Sequence, residues 1–171
     1  MHDTVHRYLN ALSSERDRAA LRPILDAGCN IDSSQTLTSA GLAIGGSTAL
    51  AKTGAATTYL LANGTLVAIA GGTNMPALAG TVANGQFGVF CFYSDSGGNL
   101  YSYAGTPGAT LGAVVFPPVP IGQALLGFVL VNPSGTGAFV GGTTALNDGT
   151  VVPNAVYIDI IGAFDATAIV Q

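Results

Sequence analysis

Eight of the fourteen charged side chains of this 171-residue chain fall within its first 26 residues. Arg7, Arg16, Arg18 and Arg22 are four of the five basic side chains, and Asp3, Glu15, Asp17 and Asp26 are four of the nine acidic ones. Everything after residue 26 carries only Lys52, Asp32, Asp95, Asp148, Asp159 and Asp165. A solitary domain commonly devotes about a quarter of its residues to charge. Here the share is 8%, and Gly, Ala, Thr, Ser and Asn fill the gap. A body of this composition suits contact with further copies of itself or with a larger surface. The charged N-terminal segment reads as a separate element.

The same distribution excludes several classes. A net charge of −4 argues against nucleic acid, which needs clustered Lys and Arg to release counterions. The Arg-rich stretch is balanced by its own acids. Mean hydropathy is +0.49, yet Gly, Thr, Asn and Pro break every apolar run before it reaches a membrane-spanning length of about 18 residues. The chain has no Trp and no evident aromatic girdle, so a porin-like barrel is disfavoured. Met1-His2-Asp3 does not open a signal peptide. Cys29 and Cys91 do not form a disulfide framework, and Cys91, inside Phe90-Cys91-Phe92, reads as a small buried hydrophobe.

Residues 1–28 form the first predicted unit, a broken amphipathic helix. Val5, Tyr8, Leu9 and Leu12 fall at i, i+3, i+4 and i+7, which makes one apolar stripe. Asp3 or Thr4 can cap its start, Pro23 suits the first turn of a new piece, and Gly28 is a stop. A helix this short is marginal alone, so the stripe must pack on something. It either plugs the chain's own β body or docks on a partner. In the docking case Val5, Tyr8, Leu9 and Leu12 are the apolar anchors, and Arg7, Arg16, Arg18 and Arg22 set the register through carboxylates.

Residues 34–171 form the second unit and read as all-β, an antiparallel sandwich or jelly-roll-like body. Thr57–Ala62 and Thr65–Ala70 flank Asn63-Gly64, the pair that supplies a type I′ hairpin turn. A second hairpin runs from Gln86 to Tyr93, turns through Asp95-Ser96-Gly97-Gly98-Asn99, and returns through Leu100–Tyr103. A third strand pair is predicted from Ala109–Phe116 and Ala124–Val131 across a Pro-rich link, and a last strand from Ala155 to Ile161. The aromatic cluster Phe87, Phe90, Phe92, Tyr93, Tyr101 and Tyr103 reads as core on one side of a sheet and surface on the other.

Catalytic equipment is thin. No His, Glu or Arg occurs beyond residue 26, so acid–base chemistry would fall to isolated Asp or Tyr residues. Gly45-Gly46-Ser47 lacks the features of a nucleophile elbow, and no phosphate-cradling loop is present. His2 and His6 with Asp3 read as solvated helix-end residues rather than metal ligands. Asp95-Ser96-Gly97-Gly98-Asn99 and Asn147-Asp148-Gly149 have too few carboxylates for calcium and read as turns. No cofactor, metal or enzymatic activity is expected. Asp95, Asp148, Asp159 and Asp165 are expected to tolerate Asn, with effects on assembly alone.

A group of motifs gives a positive indication. Gly108-Ala109-Thr110-Leu111-Gly112, Pro117-Pro118-Val119-Pro120, Gly127-Phe128-Val129, Asn132-Pro133, Val152-Pro153-Asn154-Ala155-Val156-Tyr157 and Ile161-Gly162-Ala163-Phe164-Asp165 follow one another in the second half of the chain. From about Gly85 to Gln171 the chain resembles small structural proteins of tailed bacteriophages. The resemblance implies a non-enzymatic virion component, a head decoration (cement) or head-fibre protein, and carries over no site residues. The implied partners are the phage major capsid protein and further copies of the chain, a trimer foremost, with no nucleic acid and no membrane. The implied location is the capsid surface of the virion after synthesis in the host cytoplasm. The alternative is a tail-fibre, spike or receptor-binding module that contacts host glycan. A small carbohydrate-active enzyme is disfavoured, because paired carboxylates are hard to find among scattered Asp residues.

Overall fold

The computed structural model describes residues 34–163. The predicted helical segment 1–28, with Val5, Arg7, Tyr8, Leu9, Leu12, Arg16, Arg18 and Arg22, lies outside the described residues, as does Asp165. The described chain is mainly β, and every strand pairing in it is antiparallel.

Two sheets carry most of the structure. One has three strands, β1 (Gln35–Thr36), β4 (Thr58–Ala62) and β5 (Thr65–Ile69), in the order β1-β4-β5. The other has four, β7 (Gly88–Ser94), β8 (Leu100–Ala104), β9 (Ala124–Val131) and β11 (Val156–Asp159), in the order β11-β9-β7-β8. Two small ladders complete the set: β2 (Ala43–Ile44) with β3 (Ala51–Lys52), and β6 (Thr81–Val82) with β10 (Phe139–Val140).

The local chemistry of the predicted hairpins holds. Asn63 at φ 50° and Gly64 at φ 74° make the two-residue turn between β4 and β5. Asp95–Asn99 turns β7 into β8. The third predicted pair is corrected. Ala109–Phe116 is not a strand beside β9, whose partners are β7 and β11. Instead Leu111–Ala113 forms a short 3-10 turn, and only Val115 pairs, with Thr106. The segment does different work: Val114, buried, and Phe116 lie over one face of the four-stranded sheet.

That cover narrows a second expectation, that of an open surface on one side of the aromatic strands. Every residue of β7 is buried. Phe90 and Phe92 enter one core with Leu126 and Val129 of β9 and with Leu60, Val67 and Ile69 of the three-stranded sheet. Val89, Cys91 and Tyr93 enter a second core with Leu125, Phe128, Val114 and Phe116. A strand buried on both faces loses the apolar–polar alternation and reads as a continuous apolar run. Within the aromatic cluster, Phe90, Phe92 and Tyr93 are buried in the two cores, while Phe87, Tyr101 and Tyr103 are half-buried against the second. Phe90 meets Phe139 edge-on at 5.5 Å, and Phe116 meets Phe128 edge-on at 5.1 Å, contacts worth about 0.5–1.5 kcal/mol each beyond area burial.

One bulge serves both cores. Phe92 pairs with Gly127, but Tyr93 pairs with Leu125, which leaves Leu126 as an extra residue in β9. The insertion resets the alternation, so Leu126 and Val129 both face the first core while Leu125 and Phe128 face the second. The buried Thr36 hydroxyl donates to the Leu125 carbonyl at 2.6 Å, and Ile160 N–H donates to the Leu126 carbonyl at 3.2 Å. Through Thr36, which also accepts from Gly162 N–H, the bulge ties the two sheets together.

Candidate functional site

The described carboxylates are spent on the backbone. Asp95 Oδ1 accepts from the N–H groups of Gly97 at 2.9 Å and Asn99 at 3.0 Å. Its Oδ2 accepts from Asn99 Nδ2 at 2.9 Å and from the Tyr101 hydroxyl at 2.8 Å. These donors, Asn99 first and Tyr101 next, hold the Asp95 carboxyl down at about 2. The same contact raises the Tyr101 hydroxyl. Asp148 Oδ1 accepts from Thr150 N–H at 2.9 Å and Val151 N–H at 3.2 Å. Both turns match the reading of these loops as turn chemistry.

Asp159 does more than end a strand. Its Oδ1 accepts from Leu42 N–H at 2.9 Å, and its Oδ2 accepts from Gly41 N–H at 2.8 Å and from the Ser39 hydroxyl. The carboxylate thus pins the 39–42 loop to the end of β11. Leu42 then lies against Gly127, where a Cβ would sit 2.6 Å from Leu42 Cδ1 and 2.4 Å from the Ile158 carbonyl. The expectation that Asn would serve as well at these aspartates overlooked this role, because the donors come from a loop more than 100 residues away in sequence.

Two places have the shape or chemistry of a binding site. One is a cleft of about 310 Å³ walled by Ile44, Leu146, Val152 and Pro153, with Asn147 and Tyr157 as its polar members. The Tyr157 hydroxyl is buried without a hydrogen-bond partner, and burial raises its pKa. The phenol is therefore neutral near pH 7, with its O–H buried behind the cleft wall. The other is the tyrosine array on the second core. Tyr101 and Tyr103 stack at 6.3 Å with planes 11° apart, and Tyr93 meets Tyr103 edge-on at 5.6 Å. Gln123 Nε2 reaches the Tyr103 hydroxyl at 3.5 Å, while Gln123 Oε1 is buried without a partner and the buried Tyr93 hydroxyl lies against the Cys91 thiol. Cys91 beside them is fully buried, and desolvation pushes its thiol up to about 12, so it is no nucleophile at neutral pH.

Neither place sets a nucleophile beside a base. Among the described residues, no group of three or more His, Cys, Asp and Glu could hold a metal ion, and no helix is long and apolar enough to cross a membrane. The polar groups at both places are tyrosine hydroxyls and amides set among apolar side chains. Sequence reasoning singled out the tyrosines by type. It missed the cleft, whose walls come from β2, the 146–155 loop and β11, and no local signal marks such an assembly. No protein-family model, curated protein or solved structure matches the chain.

Proposed function

We propose that this protein is a non-enzymatic structural component of a phage virion, one that self-associates and binds the head shell as a decoration, cement or head-fibre protein. The observation that carries this reading is the almost uncharged β body. Between residues 34 and 163 the only charged side chains are Lys52, Asp95, Asp148 and Asp159. All three carboxylates are turned to backbone donors. Meanwhile Leu66, Ile121 and Ile161 are 62, 87 and 65% exposed. Such a surface can be covered by protein with little charge to desolvate, and many copies on a shell make weak contacts count through avidity. The shared core between the three- and four-stranded sheets supports a sandwich-like body. The phage-like motifs of the second half point to the same role.

The competing reading, a tail-fibre or receptor-binding module, draws on the Tyr101–Tyr103–Gln123 group and the Tyr157 cleft as glycan contacts. Gold-labelled antibody against the protein on intact particles separates the two. Label distributed over the head supports the decoration reading. Label confined to the tail tip, together with binding to host surface polysaccharide, would overturn it.

A further inference from the structure

Among the described residues, nothing pairs with the outer edge of β5 in the three-stranded sheet, and the geometry of that edge names a partner. The two-residue turn at Asn63-Gly64 makes Ala62↔Thr65, Leu60↔Val67 and Thr58↔Ile69 the pairs that exchange hydrogen bonds within the hairpin. The other side of β4 agrees, since the Tyr59 carbonyl faces β1 and accepts from Leu37 N–H at 2.8 Å. Leu66 and Ala68 of β5 must therefore direct their N–H and C=O groups away from β4. No hydrogen bond from any described residue reaches them.

Natural sheets guard such edges with Lys, Pro, bulges or covering loops. Thr65-Leu66-Val67-Ala68-Ile69 has no charge and no proline, and it pairs with β4 without a bulge. The side chains of Leu66 and Ala68 are exposed, with Leu66 at 62%. We propose that this edge pairs with the same edge of a second copy, antiparallel about a two-fold axis through Val67. In that register Leu66 lies opposite the partner subunit's Ala68, and each such pair exchanges both of its hydrogen bonds. Four backbone hydrogen bonds form, and the two hairpin sheets join into one of six strands. The long Leu66 side chain sits across from the small Ala68 methyl, so the outer faces fit without clash. The contact is isologous and closes on itself. A trimer alone cannot contain it; a dimer, or a larger assembly with two-fold axes, can.

The inference rests on the self-association proposed above and deepens it. The test is native mass spectrometry of the full chain combined with amide hydrogen exchange. Wild type should be an even-numbered oligomer, with the Leu66 and Ala68 amides exchanging at least ten-fold more slowly than in a dissociated variant. Ala68→Pro removes one outward donor from an edge strand, a position where proline is tolerated. It should halve the assembly mass and release the Leu66 amide, while the Val67 amide, bonded to β4, stays protected. Leu66→Lys, which installs a charge guard without touching the backbone, should do the same and covers the case in which the proline variant does not fold. An oligomer whose Leu66 and Ala68 amides exchange freely, or whose mass neither variant changes, overturns edge pairing but leaves self-association standing. Stacking of two outer faces would give that result. A monomeric wild type overturns both.

Discussion

Asp95 shows how far a single side chain can define a loop in this protein. With Gly97, Asn99 and Tyr101 all donating to it, its carboxylate closes the turn that joins β7 to β8. Its folded-state value of about 2 lies below the ordinary 3.8. The ionised form is thus favoured in the folded chain, and its contribution to stability is fully present above about pH 4. It is lost as the pH falls through the folded value, because the unfolded chain takes up the proton first. The amides of Gly97 and Asn99, followed by NMR from about pH 5 to about pH 1, should titrate with a midpoint near 2. Asp95→Asn should abolish that step. A midpoint near 4 in the wild type would mean that the carboxylate is not held as described.

At the scale of elements, the joint between β9, β11 and the 39–42 loop is the most demanding contact. Gly127 leaves room for Leu42, and Asp159 holds the Leu42 amide in place. Gly127→Ala would drive a methyl into backbone and should destabilise by about 1–3 kcal/mol. Asp159→Asn replaces one carboxylate oxygen by a donor that faces other donors, and should cost about 1–3 kcal/mol. Urea denaturation of both single variants and the double variant should give less than the sum, since either change frees the same loop. Strict additivity would separate the two contacts. These long-range joints are what the sequence conceals. The β4–β5 and β7–β8 hairpins were legible because Asn63-Gly64 and Asp95–Asn99 carry their turn chemistry locally. The two-residue ladder of β6 and β10 was not, because Val82 pairs with Phe139, far along the chain and beyond the whole of β7, β8 and β9. Ala109–Phe116 misled for a related reason: its apolar residues answer to a sheet face they cover, not to a neighbouring strand. Among the site residues, the turn aspartates were legible, while the Tyr157 cleft and the open edge of β5 depend on which distant segments lie beside them.

At the scale of the whole molecule, the separation of charge from apolar surface makes two kinds of contact distinguishable by salt. Contacts through the body would rest on backbone hydrogen bonds and apolar side chains such as Leu66, which salt screens little. Attachment through residues 1–28, if Arg7, Arg16, Arg18 and Arg22 engage carboxylates on a capsid protein, would weaken as the Debye length shrinks from about 10 Å at 0.1 M to about 3 Å at 1 M. A chain lacking residues 1–28 should therefore keep the subunit number of the full chain, at low and at high salt. Binding of the full chain to decoration-free heads should fall at least ten-fold across that salt range, and binding of the truncated chain should be lost at every salt concentration. Co-sedimentation with purified heads measures both. Truncated protein that still sediments with heads would show that the β body makes the attachment and that the N-terminal segment has another role. Truncated protein that no longer folds would show instead that the apolar stripe of Val5, Tyr8, Leu9 and Leu12 completes the body's own core.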